Sequence, residues 1–456
     1  MQNNPLQLNN PDEVTMNDRT YNIVTFGCQM NVNESAWLER GLKRAGFTPA
    51  PEDSARVHIL NTCSVRAKPV QKVMSLLGRI EKLTNAAPDV LVAVGGCVAQ
   101  QVGEQFFKRF PQVRLVFGPD GTANAPAALE RLLAEPGLKL SLLDFSAEYV
   151  DKEPLLNGPA PTSAYVDIMQ GCDNFCTYCI VPFTRGPKKS RPKQSVLAEC
   201  RTLVEQGSRE ITLLGQNVNA YALDQPDWNI SFAELLYEVA AIPGLLRLRF
   251  MTSHPKDIAP EVIDAFKDLP NLCPRLHLPL QSGSNRVLER MNRGYTVERY
   301  LEIVSALREA RPELELSTDI IVGFPGETEA DFEATMLAMQ NARFIDSFSF
   351  CYSDRPGTKS ERFLDKVSSS VALDRLARLQ AWQTKQREAF LKSQVGKQTH
   401  MLVESPSKRN NGWQGRDPYG HIVNIVSEQA LPGKLLPVTI IEAKKHSLIA
   451  KEALND

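Results

Sequence analysis

Long hydrophobic runs are missing from this sequence of 456 residues. It contains no stretch of about 18 consecutive apolar residues, so we expect no membrane-spanning helix. The first residues, Met1 to Asp18, are polar and lack the charged start and apolar centre of a signal peptide. These absences predict a soluble protein of the cytoplasm.

An excess of charge of one sign is also lacking. The 52 Lys and Arg residues nearly balance the 53 Asp and Glu residues, which leaves a net charge of −1. No global basic field therefore indicates a nucleic-acid partner, and any contact with RNA must come from local patches. The nine cysteines are too sparse for a secreted disulfide scaffold. Six of them lie in motif-like contexts, which favours metal binding in a reducing compartment.

Three cysteines in one short loop carry most of the functional information. Cys172, Cys176 and Cys179, here called the loop triad, have the spacing C-x3-C-x2-C. Three thiolates at this spacing suit a four-iron cluster and leave one iron open to a substrate. The alternative is a zinc site that lacks one ligand. Tetrahedral zinc normally takes a fourth Cys or His, and no histidine occurs between Cys179 and His254.

A second set of cysteines recurs with the period of a strand–helix unit. Cys28, Cys63 and Cys97, here called the strand-end triad, are 35 and 34 residues apart, and each follows a predicted strand. Because the carboxyl ends of parallel strands share one edge of a sheet, we expect the three thiols to converge. The alternative is three ordinary buried cysteines, which are common in protein cores.

The first part of the chain alternates apolar runs with amphipathic stretches. This alternation predicts an α/β domain in which helices cover both faces of a parallel sheet, a doubly wound arrangement. The predicted strands are Tyr21–Phe26, Val57–Leu60 and Val90–Val94, and the predicted helices are Glu34–Ala45, Val70–Leu83 and Val98–Phe110.

After a linker rich in proline, at residues 151–163, six further strand–helix units follow. Six units are too few for an eight-unit barrel and predict an open, partial (β/α)6 barrel. Ser370–Val395 is predicted to form one long helix. The last 60 residues predict a small antiparallel β-barrel, because short β-like pieces alternate there with Gly, Pro and Asn.

Several segments resemble the motifs of methylthiotransferases, a family of radical S-adenosylmethionine (SAM) enzymes. They are Thr25–Asn31, Asn61–Arg66, Gly96–Gln101, Leu278–Ser284, Gly323–Thr328 and Tyr352–Thr358. The resemblance covers nearly the whole chain. It implies an N-terminal methylthiotransferase domain at 19–140, a radical SAM core at 158–392 and an RNA-binding TRAM domain at 395–455.

The subgroup that the chain resembles most methylthiolates C2 of N6-(dimethylallyl)adenosine at position 37 of tRNA, beside the anticodon. The alternatives are siblings that modify threonylcarbamoyl-adenosine in tRNA or an aspartate in a ribosomal protein. Gln29-Met30-Asn31 after the first cysteine favours the tRNA branch. The alternative from another class is a non-catalytic RNA-binding iron–sulfur sensor.

The resemblance also implies the cofactors and their ligands. The loop triad would bind the radical-generating [4Fe-4S] cluster and the strand-end triad an auxiliary one. One SAM molecule would methylate sulfur at the auxiliary cluster, and a second would become the radical. The implied SAM contacts are Tyr178, Gly215, Gln216, Gln281 and Ser282, with Asn217 and the segment Gly323–Glu327 as further candidates.

Other residues receive no catalytic role. We expect His254 to make a fixed hydrogen bond, and Cys200, Cys273 and Cys351 to be structural, because they lack partners at ligand spacing.

Two local patches are candidates for RNA contact. One is the basic run after the loop triad, which either contacts phosphate or forms a solvated face. It contains Arg185, Lys188, Lys189, Arg191 and Lys193. The other combines stacking and basic groups near the C-terminus, namely Lys408, Arg409, Trp413, Arg416 and Tyr419. The expected partners are a tRNA anticodon stem-loop and an electron donor of flavodoxin or ferredoxin type, and we expect a monomer.

Overall fold

The computed structural model describes residues 19–64, 67–86, 90–151, 158–407, 412–428 and 431–453. These residues divide into two compact units. The first contains the described residues up to 151 together with Phe183–Gly186, and the second contains the described residues from 158 onwards without those four. No helix in the described part of the chain is long and apolar enough to cross a membrane.

A six-stranded parallel sheet forms the centre of the first unit. Its order is β2-β1-β3-β4-β5-β6. The strands are β1 (Thr20–Thr25), β2 (Thr48–Pro49), β3 (Val57–Thr62), β4 (Leu91–Gly96), β5 (Val113–Phe117) and β6 (Leu140–Leu142). The order 2-1-3-4-5 is that of flavodoxin-like sheets, in which the strand order reverses between β1 and β3 and ligands bind at that reversal.

Helices cover both faces of this sheet, so the predicted doubly wound arrangement is confirmed. The side chains of β4 show why, because Leu91 and Ala93 pack on one core cluster and Val92 and Val94 on the other. One face is covered by α1 (Gln29–Arg44) and α5 (Ala125–Ala134), the other by α2 (Ala67–Ala86), α3 (Cys97–Val102) and α4 (Gln105–Arg109).

Some elements of the first unit differ from the sequence prediction. The strands β5 and β6 and the helix α5 were not predicted. The expected single helix Val98–Phe110 is two helices, because Gly103 adopts a positive φ of 60° that ends α3. The chain between β4 and β5 therefore turns sharply after Val102.

Six parallel strands in consecutive order form the centre of the second unit, which confirms the partial (β/α)6 barrel. They pair as two three-stranded sheets, and a parallel bridge between Leu248 and Leu272 links these. The six strands are β7 (Ser163–Asp167), β10 (Glu210–Leu214), β11 (Arg247–Phe250), β12 (Arg275–His277), β13 (Glu315–Val322) and β14 (Asp346–Cys351). A short antiparallel pair consists of β8 (Met169–Gln170) and β9 (Lys189–Ser190).

Helices join these strands, and four of the helices begin at a side-chain cap. The Ser231 hydroxyl accepts a hydrogen bond from the Glu234 amide, and the Glu234 carboxylate accepts one from the Ser231 amide. The helices are α6 (Val181–Arg185), α7 (Lys193–Glu205), α8 (Phe232–Ala240), α9 (Pro260–Asp268), α10 (Asn285–Arg290), α11 (Val297–Ala310) and α12 (Glu329–Ala342).

The end of the chain forms the predicted long helix and a closed five-stranded barrel, which is not wholly antiparallel as expected, because Ile422–Ile425 and Ser447–Glu452 pair in parallel. The barrel has the order β15-β16-β17-β19-β18. The elements are α13 (Ser369–Ser393), β15 (Gln398–Pro406), β16 (Trp413–Arg416), β17 (Ile422–Ile425), β18 (Leu435–Ala443) and β19 (Ser447–Glu452). Two arginines at the starts of β11 and β12 hold this barrel by donating to its main-chain carbonyls. Arg247 donates to Arg416 O at 2.8 Å, and Arg275 to Tyr419 O at 2.6 Å.

Candidate iron–sulfur and SAM site

The loop that carries the loop triad is anchored at both ends by hydrogen bonds. The Gly171 amide donates to Gln216 Oε1 at 2.5 Å, at the end of β10. The Thr177 amide donates to Met291 O at 3.0 Å, and Asn292 Nδ2 donates to two loop carbonyls at 3.2 Å. The carboxyl end of β10 and the end of α10 therefore fix the loop.

The loop thiols lie close enough to affect one another. Burial and the nearby Cys176 sulfur raise the pKa of Cys179 to about 12. Burial also raises the pKa of Cys172. These thiols are protonated at neutral pH in the metal-free chain. Binding a metal cluster must therefore displace their protons.

A buried arginine, which the sequence analysis missed, supports this loop. Arg293 is 5% exposed, and its Nη1 lies 3.3 Å from Cys176 Sγ. Nε donates to Tyr295 Oη at 3.0 Å, and Nη2 donates to Pro279 O at 3.1 Å. The protein thus fixes a positive charge beside a predicted iron ligand. Such outer partners orient a ligand and tune the metal.

An open cavity of about 220 Å³ borders the loop triad at Cys172. Its wall includes Asn217, Lys256 and Asp257. Asn217 Nδ2 donates to Asp257 Oδ2 at 2.6 Å, whereas no group in the described structure donates to the buried Asn217 Oδ1. A free amide oxygen beside a carboxylate is suited to binding an ammonium group.

The strand-end triad lies at the carboxyl ends of three neighbouring strands. Cys28 follows β1 and caps α1, Cys63 follows β3, and Cys97 begins α3 directly after β4. The three thiols do converge, because Cys28 hydrogen-bonds Cys63 and interacts electrostatically with Cys97. They lie at and beside the reversal of strand order, where doubly wound sheets bind ligands.

Two glycines allow the backbone to pass close to these thiols. A Cβ at Gly27 would lie 2.8 Å from Cys63 Cβ and 2.2 Å from Asn31 Oδ1. Gly96 has a φ of 85°, and a Cβ there would lie 2.4 Å from Thr62 O. No other residue fits either position without moving its neighbours.

A network of buried polar groups supports the strand-end triad. Asn31 is fully buried, and its Nδ2 donates to Thr62 O at 3.2 Å. Asn61 Nδ2 donates in return to Asn31 O at 3.0 Å. Glu34 accepts from Asn31 and forms a buried ion pair with Arg185, at 2.8 Å between Nη1 and Oε1. This ion pair has no signature in the sequence, because Arg185 lies within a run of basic residues.

The thiols of this triad differ in their proton affinity. The hydrogen bond from Cys63 lowers the pKa of Cys28 to about 6, although burial opposes the change, and the positive charge of Arg185 lowers it further. Burial raises the pKa of Cys97, and Arg185 partly offsets that effect. Cys28 is exposed, whereas Cys63 and Cys97 are buried. Cys28 is therefore both more accessible and more acidic than Cys97.

The number of thiols in each triad bears on the metal group that it could hold. Within the described ranges, no three Cys, His, Asp or Glu side chains form a group that could hold a single metal ion. Three thiols per site, with no fourth donor in the set, suit a cluster with one open iron.

Most of the predicted SAM contacts lie near the ends of the barrel strands, where they pack against or hydrogen-bond other protein groups. Gly215 leaves no room for a Cβ, which would lie 2.5 Å from Met169. Gln281 has a φ of 70°, and its neighbour Ser282 is fully buried, 3.4 Å from the Thr335 hydroxyl. Tyr178 packs against the core cluster of Phe324. Their contact with SAM stays a prediction.

A hydrogen bond joins the two ends of the segment Gly323–Glu327. The Gly323 amide donates to Glu327 Oε2 at 2.6 Å, and the same carboxylate pairs with Arg375 at 2.8 Å. These groups are occupied within the fold.

His254 makes the kind of fixed hydrogen bond that was expected. Its Nδ1 accepts from the Lys256 amide at 3.3 Å. Burial lowers its pKa to about 2, with smaller contributions from Arg293 and Lys256, so the ring is neutral. Cys200 and Cys273 are buried and Cys351 is half-buried, at positions consistent with packing.

Three of the five residues in the basic run after the loop triad are enclosed by the fold, and phosphate contact by Lys188 and Lys193 stays a prediction. Arg185, Lys189 and Arg191 are buried, and Arg191 forms an ion pair with Glu199. Lys193 pairs with Glu238 at 2.7 Å. The expectation of phosphate contact was wrong for the three buried residues, because the charge pattern does not reveal which cations have carboxylate partners.

The second patch is partly used within the C-terminal barrel. Trp413 packs against the barrel core, Arg416 pairs with Glu404 at 3.2 Å, and Tyr419 stacks edge-on with Phe390. The other two predicted residues, Lys408 and Arg409, lie outside the described residues. RNA contact by this patch stays a prediction.

Two family models match the chain. Residues 166–339 match the Radical SAM superfamily, and residues 20–118 match the Uncharacterized protein family UPF0004. Among solved structures, a radical S-adenosylmethionine methyltransferase, TsrM, from Kitasatospora setae is similar, with a TM-score of 0.54 and 16% identity. The match covers 75% of this chain and 77% of that one. At this identity the likeness shows the fold alone.

Much more similar proteins share the full length. The chain is 59% identical to the tRNA-2-methylthio-N(6)-dimethylallyladenosine synthase of Nitratidesulfovibrio vulgaris strain DP4, over 96% of this chain and 99% of that protein. It is 56% identical to the protein of that name in Oleidesulfovibrio alaskensis, and 44% identical to the one in Trichlorobacter lovleyi, again over 96% of this chain and 99–100% of theirs. The chain therefore belongs to the tRNA-2-methylthio-N(6)-dimethylallyladenosine synthase family of radical SAM proteins.

Proposed function

We propose that this chain is a radical SAM transferase that methylthiolates C2 of N6-(dimethylallyl)adenosine at position 37 of tRNA. The observation that carries the proposal is the full-length identity of 44–59% to proteins named for this activity. The two cysteine triads agree with it, since each supplies three thiols at the carboxyl end of a parallel sheet.

The proposed cofactors are two [4Fe-4S] clusters and SAM. When bound, they supply reductive cleavage of SAM and a source of sulfur, whereas the protein binds, orients and shields them. The loop triad (Cys172, Cys176, Cys179) would hold the radical-generating cluster, and the strand-end triad (Cys28, Cys63, Cys97) the auxiliary one.

Residues around the loop triad support a SAM site beside it. Gln216 fixes the start of the loop through the Gly171 amide. Asn217 Oδ1 lacks a donor from any described group and borders the same cavity as Cys172, so it is suited to accept from the amino group of SAM. Tyr178, Gln281 and Ser282 are the further contacts proposed.

The division of labour follows the three predicted domains. Residues 19–140 would hold the auxiliary cluster, residues 158–392 would hold the radical SAM centre, and residues 395–455 would bind RNA as a TRAM domain. The substrate is tRNA, and the contact surface would be its anticodon stem-loop. We further propose a monomer that works in the cytoplasm with an electron donor of flavodoxin or ferredoxin type.

Mass analysis of tRNA nucleosides from a deletion strain tests the proposal. Loss of the 2-methylthio-N6-dimethylallyladenosine nucleoside, with accumulation of its unmethylthiolated precursor, is expected. The methylthio derivative of threonylcarbamoyl-adenosine serves as the internal control and should not change. An unchanged level of the first nucleoside would refute the assignment. Formation of 5′-deoxyadenosine by the reduced, reconstituted protein separates an enzyme from an RNA-binding sensor.

A further inference from the structure

The guanidinium of Arg185 keeps a donor that the fold leaves free. The residue is 3% exposed, and its Nη1 donates to Glu34 Oε1 at 2.8 Å. Its Nη2 is buried, and none of the described groups accepts a hydrogen bond from it. Buried donors in native proteins nearly always have a partner. A free one in a buried site therefore points to a ligand.

The surroundings of Arg185 indicate the charge of that ligand. The guanidinium interacts electrostatically with Cys28 and Cys97 and also hydrogen-bonds the Cys97 thiol, so it is the cation that acts on both thiols. Glu34 is 1% exposed and also accepts from Asn31, so the carboxylate cannot swing away from the guanidinium. The ion pair thus fixes a positive charge beside the strand-end triad. An anion that contains sulfur matches this charge and the neighbouring thiols.

We propose that Arg185 is a positioning residue of the strand-end triad, which donates through Nη2 to a negatively charged sulfur atom of the bound auxiliary cluster. Glu34 holds the guanidinium in place. The inference rests on the proposed function, because it requires a cluster on Cys28, Cys63 and Cys97.

The charge of Arg185 has a measurable consequence. Reduction adds negative charge to a cluster, and hydrogen bonds to its sulfur atoms and nearby positive charge favour the reduced state. Removing the charge should therefore make the auxiliary cluster harder to reduce. A purely structural arginine would not affect the potential in this way.

The test uses a parent variant in which the three loop-triad cysteines are replaced by alanine, so that only the auxiliary cluster remains. The midpoint potential is followed by EPR during a redox titration. Arg185→Gln in this parent should shift the reduction equilibrium at least tenfold toward the oxidised state, equivalent to about 59 mV for one electron. Arg185→Lys keeps the charge and should shift it less. Arg114→Gln is the control, since the Arg114 guanidinium donates to the carbonyl oxygens of Leu132 and Leu138.

The outcomes separate the inference from the proposed function. An unchanged midpoint in Arg185→Gln with a full iron content would overturn the inference. Equal loss of iron in the Gln and Lys variants would also overturn it, because Arg185 would then be needed only for folding of the site. A parent variant that binds no iron would instead refute the auxiliary cluster itself.

Discussion

The loop triad and the strand-end triad present three thiols each, but the chain assembles them differently. The loop triad lies within eight consecutive residues, and hydrogen bonds to Gln216 and Met291, donated by the Gly171 and Thr177 amides, fix its loop. The strand-end triad comes from three strands that pair in parallel, so its geometry depends on the register of the whole sheet. A local site depends on a few anchors, whereas a site distributed over a sheet depends on the fold.

The buried arginines of the two sites extend this contrast. Arg293 has a protein partner for each of its three nitrogens and lies 3.3 Å from Cys176 Sγ. Arg185 donates from Nη1 to Glu34, whereas its Nη2 has no hydrogen-bond partner in the described chain. The Arg293 guanidinium is thus fully used by protein groups, whereas that of Arg185 has a donor left for a group that binds there.

Removing one thiol from each triad should give the largest effects. Cys176→Ala should lower formation of 5′-deoxyadenosine by at least about 100-fold. Loss of a group that only supports a metal ligand costs about 100-fold at most, and loss of the ligand itself should cost no less. Cys63→Ala should abolish methylthio transfer to tRNA while some cleavage of SAM continues. Both products are measured by mass spectrometry after anaerobic reconstitution.

Cys200→Ala is the matched control for these two variants, because Cys200 is a fully buried thiol in α7 outside both triads. It should keep both activities. If Cys63→Ala and Cys176→Ala lost cleavage of SAM to the same extent, the two triads would not have separate roles.

Arg293→Gln should have an intermediate effect. It removes the charged donor beside Cys176, so formation of 5′-deoxyadenosine should fall about 10–100-fold, as is usual for outer partners of metal ligands. Arg293→Lys should recover part of the loss. The rate is measured under single-turnover conditions, with iron content checked first. A normal rate with normal iron would show that Arg293 only fills space.

Glycine substitutions should separate backbone strain from close packing in the first unit. Gly96 and Gly137 have similar positive φ values, 85° and 88°. Gly137→Ala should cost about 1–3 kcal/mol for the left-handed backbone alone, because nothing lies within 4 Å of its Cβ position. Gly96→Ala should cost more, since its Cβ would lie 2.4 Å from Thr62 O.

Urea unfolding of the two variants gives the comparison directly. The difference in free energy of unfolding between Gly96→Ala and Gly137→Ala measures the cost of the contact between the added Cβ at position 96 and Thr62 O. Equal free energies of unfolding would mean that the backbone around Gly96 and Thr62 can move apart to make room for a Cβ.

The architecture was largely predictable from periodic patterns and spacing. The period of about 35 residues in the strand-end triad indicated strand ends, and Cys28, Cys63 and Cys97 do follow β1, β3 and β4. Single-residue breaks were harder to predict, because Gly103 ends α3 within a segment whose apolar periodicity continues to Phe110.

The partners of charged residues were not predictable from the sequence. Arg185 pairs with Glu34, which lies 151 residues earlier in the chain. Arg293 reaches Cys176 across 117 residues. A run of charged residues in one sequence gives no information on such distant partners. A buried arginine therefore cannot be told from a solvated one by the sequence alone.

The arginines at the starts of β11 and β12 contact the C-terminal barrel by donating hydrogen bonds to the main-chain oxygens of Arg416 and Tyr419. Every amino acid carries that oxygen. This part of the barrel's attachment therefore does not depend on which side chains stand at positions 416 and 419.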